Sequence, residues 1–535
     1  MRKQKFLFVL TTLVLVLVVI LAACAQYPNG ENGYDDPPEP VEENYESDVT
    51  FNFSEIQRVF IMAGYSVHIQ LTGRINTLIA NKPTALQFFT LRRFVNERLA
   101  NEAWEDLQTI VGNTPHGRAG FYIWTGTQDA VRIFERRNEL AFHPGAVVFD
   151  VGGGMYSVVF ATTVPAVGFI EYDFGGTTHT VLAHTDGKAR IDTIHAVRVP
   201  REHLRNNTYT IGAFVPVMND PGTGWAAGTA PPRSQWHIGA EFEFRGTPSG
   251  PNGEFTAFAV GDWHNNNDWI RGLRDASWTD GAPPDLIMMM GDAFSPSHSD
   301  RELINYIIYT GYLLSGGVVP VLYARGNHET RGIGADNMAQ RLGFDRLFWR
   351  TDFGNVTFTV FDNGSDWTDA YSGHGGMAMF EAYREEQMRW LESLPTPAGE
   401  HVVLNHMPWL GSRNAHVELD NRWIAELERQ NARFFVTAHT HIHRFVAPGE
   451  ILAPETLLNR AVGNFPFYTL VAGGHSTSYP PRQDEHGYWY FPGAYSRAGE
   501  LIGNLINFGA DEVIIRPYTH TGTWFDNMEH SFMWA

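Results

Sequence analysis

Seven side chains able to hold a metal ion are strung along the second half of this 535-residue chain. Asp262 and His264 lie in Gly261-Asp262-Trp263-His264, Asp292 follows Gly291, and Asn327 lies in Gly326-Asn327-His328-Glu329. His406 lies in Asn405-His406-Met407-Pro408, and His439 and His441 close the series in Ala438-His439-Thr440-His441. Each segment ends a short apolar run: Phe255 to Val260, Leu286 to Met290, Val318 to Tyr323, His401 to Leu404 and Phe434 to Thr437. Five strands that end in five ligand clusters describe one site at one sheet edge, where α/β folds place their chemistry. Carboxylate, imidazole and amide donors without a thiol suit divalent ions of moderate hardness, such as Mn, Fe or Zn.

Seven ligands are too many for one tetrahedral ion and suit two ions that share a bridge. A carboxylate is the natural bridge, and Asp292 stands alone at its strand end. Asp262 and His264, and likewise His439 and His441, are spaced i, i+2, so an extended segment would aim both members the same way. Two ions about 3.5–4 Å apart can hold a hydroxide nucleophile at neutral pH and neutralise a phosphoryl group in transfer.

The ordered pattern D-x-H, G-D, G-N-H-[DE], H, G-H-x-H resembles the calcineurin-like metallophosphoesterase superfamily, with Ala438 where that family usually has Gly. The resemblance implies a first metal on Asp262, His264, Asp292 and His441 and a second on Asp292, Asn327, His406 and His439. It implies that His328 bonds the phosphoryl group and protonates the leaving oxygen, with Glu329 orienting His328 from behind. It also implies an α/β catalytic domain, a four-layer α/β/β/α sandwich with two mixed sheets. His298, His374, His401, His416 and His475 read as ordinary core or surface histidines, and His443 as a supporting or solvated one.

With 59 acidic against 39 basic residues the net charge is −20, which argues against nucleic acid as a bulk partner. A phosphorylated small substrate is still admissible, because bound cations invert the local field. At the start, Arg2, Lys3 and Lys5 precede an uncharged apolar stretch from Phe6 to Ala23, ending in Leu21-Ala22-Ala23-Cys24. This resembles a bacterial lipoprotein signal and implies acylation of Cys24, the chain's one cysteine. The expectation is a protein anchored by lipid to the outer face of the cytoplasmic membrane, stable without disulfides.

After a signal over residues 1–23, residues 24–49 read as an acidic, Pro-rich tether and 50–143 as an accessory module without recognisable chemistry. Seven strand-like runs over 144–248 suggest an all-β immunoglobulin/fibronectin-like sandwich, similar to the one preceding the catalytic domain of purple acid phosphatases. The catalytic domain is expected over 254–535. Those enzymes carry a Tyr three residues after the bridging Asp; here the position is Ser295, so two divalent ions and no iron–phenolate colour are expected. The reading is a surface-anchored phosphate-ester hydrolase. The alternatives are a phosphodiesterase or nucleotide/sugar-phosphate hydrolase with the same site, or a non-catalytic surface lipoprotein with a structural metal.

Overall fold

The computed structural model describes residues 67–72, 75–80, 140–216, 229–246, 253–294, 300–332, 334–408, 417–441, 443–453, 462–463, 465–474, 500–522 and 529–534. Cys24, the tether, Ser295, His298, His416 and His475 lie outside them, as does most of the accessory module. Of that module two strands are described, Val67–Thr72 and Ile75–Ala80, paired antiparallel.

Two mixed sheets carry the catalytic half. In the first, strands Phe255–Val260 (β6), Leu286–Met289 (β7) and Pro320–Tyr323 (β8) run parallel. Ile502–Phe508 (β15) and Glu512–Thr519 (β16) continue it antiparallel beyond β6. In the second, Val356–Val360 (β10), Glu400–Leu404 (β11), Ala432–Thr437 (β12) and Tyr468–Ala472 (β14) run parallel. Antiparallel Trp349–Phe353 (β9) and His443–Val446 (β13) flank them. The parallel strands are buried along nearly their whole length, as strands covered on both faces must be, so even the alternating Val-Thr-Phe-Thr-Val of β10 has no exposed face. Phe258, Val260, Phe358, Val402 and Phe434 belong to one buried core shared by the two sheets. A separate cluster, with Leu391, Trp423 and Leu427 packed on Val403 and Phe435, seats helices Phe380–Ser393 (α2) and Val417–Arg429 (α3) on the second sheet. Helix Asn267–Ser277 (α1) buries Ile270 and Leu273 in the main core, and Asn266 caps its start by accepting from the Trp269 N–H.

The β-rich segment departs from the expected separate sandwich. Its strands are Phe142–Asp150 (β1), Met155–Phe174 (β2), Ile191–Pro200 (β3), Asn207–Phe214 (β4) and His237–Phe244 (β5). They extend the first catalytic sheet, because β1 pairs parallel with β8. The runs 157–161 and 168–172 belong to one strand, β2, whose register against β3 shifts between Ala161 and Ala166. The physical reason lies in β1. Val147, Phe149 and Val151 face the catalytic core, while Ala146 and Val148 face a second core with Tyr156, Tyr209 and Phe244. A strand buried on both sides serves two cores at once, so no boundary forms between them. A part-buried ion network ties the same segment down: Arg341 donates to Asp192 at 2.9 Å and to both oxygens of Asp300, and Thr193 Oγ1 donates to Asp300.

His195 and His401 are core residues. His195 Nε2 meets Thr162 Oγ1 at 2.8 Å; His401 meets Thr359 Oγ1 at 2.8 Å and the Gln430 carbonyl at 3.0 Å. Burial holds each imidazole down to about 3. A base with a folded value below its unfolded value of 6.5 binds fewer protons when folded. Its stabilising contribution is therefore complete above pH 6.5 and lost as pH falls toward 3. Each histidine should contribute a slope of about 1.4 kcal/mol per pH unit in that window. Urea unfolding from pH 7 to 4 should show the loss, and His401→Gln should flatten the slope by about one such increment. An unaltered slope in that variant would refute the assignment.

Candidate metal centre

The five ligand segments meet at the carboxyl ends of β6, β7, β8, β11 and β12, where the two sheets converge. The loops after β6 and β7 are laced together. The Asp262 N–H donates to Gly291 O at 2.9 Å, and the His264 N–H donates to Asp292 O at 3.1 Å. Close approach is enforced by small residues. A Cβ on Gly326 would lie 2.2 Å from Asp292 Oδ1, and one on Gly261 would lie 2.5 Å from the Ala438 Cβ. Alanine at 438 is thus accommodated because Gly261 leaves it room.

The paired ligands do not reach the site by strand alternation. Asp262, His264, Asp292, His439 and His441 all have positive φ, between 36° and 71°. Left-handed backbone at non-glycine residues is costly and concentrates where function demands it. These turns, rather than an extended i, i+2 face, converge the side chains, while Trp263 is fully buried in the core between Asp262 and His264.

Two groups of ligand atoms result. Asp262, His264, Asp292 and His441 form one, and Asp292, His406 and His439 the other; within each, the atoms lie within 4.8 Å of one another. Asp292 belongs to both. Asn327 Oδ1 joins the second group, 3.0 Å from His439 Nδ1. The rings face each other nitrogen to nitrogen: His264 Nε2 to His441 Nε2 at 3.3 Å, and His439 Nδ1 to His406 Nε2 at 3.2 Å. His406 is aimed by its Nδ1, 2.5 Å from the Met290 carbonyl.

The residues fit two divalent cations. Among the described residues Asp262 Oδ1 is buried without a hydrogen-bond donor, while Oδ2 accepts from the His439 N–H at 2.8 Å. The Asn327 oxygen points among acceptors. Turned round, the amide would satisfy itself by donating to Asp292 and accepting from Arg331 at 2.9 Å. Oxygen-inward is the orientation a cation favours. Burial raises Asp262 to about 6, and burial together with Asp292 raises Glu329 to about 7. Burial also keeps His264 and His439 well below their ordinary value, so both remain neutral and able to ligate.

His328 lies beside the cluster, Nε2 3.9 Å from Asp292 Oδ2, with its backbone N–H donating to Asp292 Oδ1 at 2.9 Å. Burial holds its ring at about 4 although Asp292 pulls upward. Glu329 does not orient it, contrary to expectation. Its carboxylate accepts from the N–H groups of Asp292 (3.1 Å) and Ala293 (2.6 Å), and His328 Nδ1 has no hydrogen-bond partner among the described residues. Glu329 therefore fixes the loop that presents Asp292. His443 is fully buried, its ring stacked 6.2 Å from His530.

Sequence reasoning missed Asp366, whose Oδ2 lies 3.9 Å from His439 Nε2 and whose Oδ1 is 3.5 Å from Asn327 Nδ2. The signal was the polar run Asn363-Gly364-Ser365-Asp366 shortly after β10, another parallel strand end. Arg331, two residues past Glu329, was also missed.

Residues 255–443 match the calcineurin-like phosphoesterase family. No curated protein matches the chain. Among solved structures, the chain is similar to purple acid phosphatase PPD1 from yellow lupin (Lupinus luteus) seeds at 14% identity, covering 72% of this chain and 73% of that one, TM-score 0.46. It is similar to GAP50, the anchor in the inner membrane complex of Plasmodium, at 9% identity over 52% of this chain and 89% of that one, TM-score 0.37. A third is the cold-active protein-tyrosine phosphatase of a psychrophile Shewanella species, at 12% identity over 72% and 99%, TM-score 0.23. At these TM-scores none of the three carries an argument about this chain.

Proposed function

We propose, on the match of residues 255–443 to the calcineurin-like phosphoesterase family, that the chain is a metal-dependent phosphoesterase that hydrolyses small phosphate esters at a centre whose residues would hold two ions, with Asp292 serving both. The observation that carries this reading is the sharing of Asp292 by both buried ligand groups. Asp262, His264, Asp292 and His441 would hold one ion, and Asp292, Asn327, His406 and His439 the other. Two divalent ions, when bound, supply Lewis acidity and a water acidic enough to ionise near pH 7.

The chain's own residues do the rest. His264 and His406 are nearly buried beside Asp292, which leaves the mouth to His328, His439 and His441, each 14–17% exposed. His328 is neutral in the free enzyme. An anionic phosphoryl group against its Nε2 would raise its proton affinity, so the ring takes up a proton from solvent as substrate binds and gives that proton to the departing oxygen, returning to neutral. Arg331, within reach of the Asn327 amide, supplies a fixed positive charge on the same side. Glu329 holds the Asp292 loop through two N–H groups.

The same reading places the protein on the extracytoplasmic face, held by a lipid on Cys24, on the support of the lipobox-like Leu21-Ala22-Ala23-Cys24. Loss of lipid labelling in Cys24→Ser would bear this out; unchanged labelling and processing would refute it. Activity is tested by a screen over phosphomonoesters, phosphodiesters and nucleotides with Mn, Fe and Zn supplied separately. Turnover of one ester class that vanishes with chelation supports the reading. Full metal loading without turnover of any ester contradicts it.

A further inference from the structure

The segment from Asn363 to Phe380 leaves the metal centre and rises to the surface. Asp366 is buried against Asn327 and His439, and its neighbour Trp367 is half-buried. Trp367 stacks on Tyr371 with ring centroids 4.6 Å apart and planes 16° from parallel. His374 stands edge-on to Tyr371 at 5.4 Å and to Phe380 at 5.6 Å. Tyr371, Met377 and Met379 are 41%, 88% and 71% exposed, and they are three of the seven large exposed hydrophobics among the described residues. Isolated surface apolars are ordinary, but a cluster beside a reaction centre marks a binding surface.

The segment is also built to hold its shape. Buried Arg384 donates to the carbonyls of Asn363 (2.7 Å) and Ser365 (3.2 Å). The Trp367 N–H donates to Ser365 Oγ, and Asp369 accepts from the N–H groups of Phe380 and Glu381 at the start of α2. Both ends of the aromatic run are thereby fixed, so a ligand that stacks there meets a preorganised surface.

We propose that Trp367 and Tyr371 form an aromatic platform that binds a planar ring in the alcohol portion of the substrate, making ring-bearing phosphate esters the preferred class. This deepens the phosphoesterase reading and rests on it. The phosphoryl group must lie at the ligand cluster, and Trp367 directly follows Asp366, the residue that reaches Asn327 and His439, so the platform begins about 3.8 Å of chain from the cluster, where the ester's organic part would extend. Aromatic faces accept any flat ring without hydrogen-bond selectivity.

The test compares esters with matched leaving groups: adenosine 5′-monophosphate against ribose 5-phosphate, and benzyl phosphate against ethyl phosphate, each also as its methyl diester. In the full-length metal-loaded protein, kcat/KM should favour the ring-bearing member by about 10-fold or more, carried mainly by KM. Trp367→Ala and Tyr371→Ala should collapse that ratio toward one, and Trp367→Phe should restore most of it. Preference in the adenosine pair alone identifies a nucleobase, and preference in both pairs any planar ring; either supports the platform. A ratio near one in both wild-type pairs, or a ratio that Trp367→Ala leaves intact because it lowers neither member or both equally, overturns it. Failure to hydrolyse any of these esters with both ions bound would instead contradict the phosphoesterase reading itself.

Discussion

Replacing Asp292 with alanine is expected to strip both ions and abolish hydrolysis. Asp292 is the one residue in both ligand groups, it is buried, and its loop is fixed by Glu329. Its removal takes a carboxylate from each ion at once and leaves the remaining imidazoles facing one another without a shared negative charge. Losing Lewis acidity and nucleophile activation together forfeits on the order of 6 kcal/mol, a fall in rate of about 10⁴-fold or more. His264→Ala removes a ligand from the first group alone, so the second ion should be retained. Elemental analysis separates the cases: near zero ions per chain in Asp292→Ala and near one in His264→Ala. Equal losses in the two variants would show that Asp292 does not bridge.

The second large effect belongs to His328. It follows Asn327 in sequence but is not part of either ligand group. His328→Ala should therefore keep both ions, while kcat falls by about 10²–10⁴-fold, the range of general acid catalysis. The deficit should shrink with nitrophenyl esters, whose leaving oxygens need less protonation. Loss of metal from this variant would make His328 a ligand. Full kcat on alkyl esters would remove its role as acid.

Much of this was legible in the sequence because a parallel strand end is a local signal. An apolar run followed by Gly-Asp or Gly-Asn-His marks where the chain turns, and the turn is where a side chain can reach an ion. The ligand segments after β6, β7, β8, β11 and β12 were found this way. What spacing alone did not carry was backbone conformation. Asp262 and His264 read as an extended pair, yet both sit at positive φ, and such strain is held by the surrounding packing rather than by the residues themselves. Likewise Glu329 follows His328 directly, but its partners come from the loop after β7, about 36 residues upstream, and no local pattern shows that pairing. The β-rich segment was misread as separate because its alternation is real. Only the pairing of β1 with β8 shows that its other face also has a core to cover. Asp366 went unnoticed because its polar run, although it follows a parallel strand end, has the composition of an ordinary exposed turn, and only that position hinted at a buried carboxylate.

Metal stoichiometry decides whether Asp292 serves two ions in one hydrolytic site, as proposed. The apo protein, prepared by chelation, should be titrated with Mn, Fe or Zn while bound metal and ester hydrolysis are followed together. The account predicts saturation at two ions per chain, with turnover appearing as the second ion binds. Saturation at one ion, or full turnover reached with a single ion bound, would contradict it.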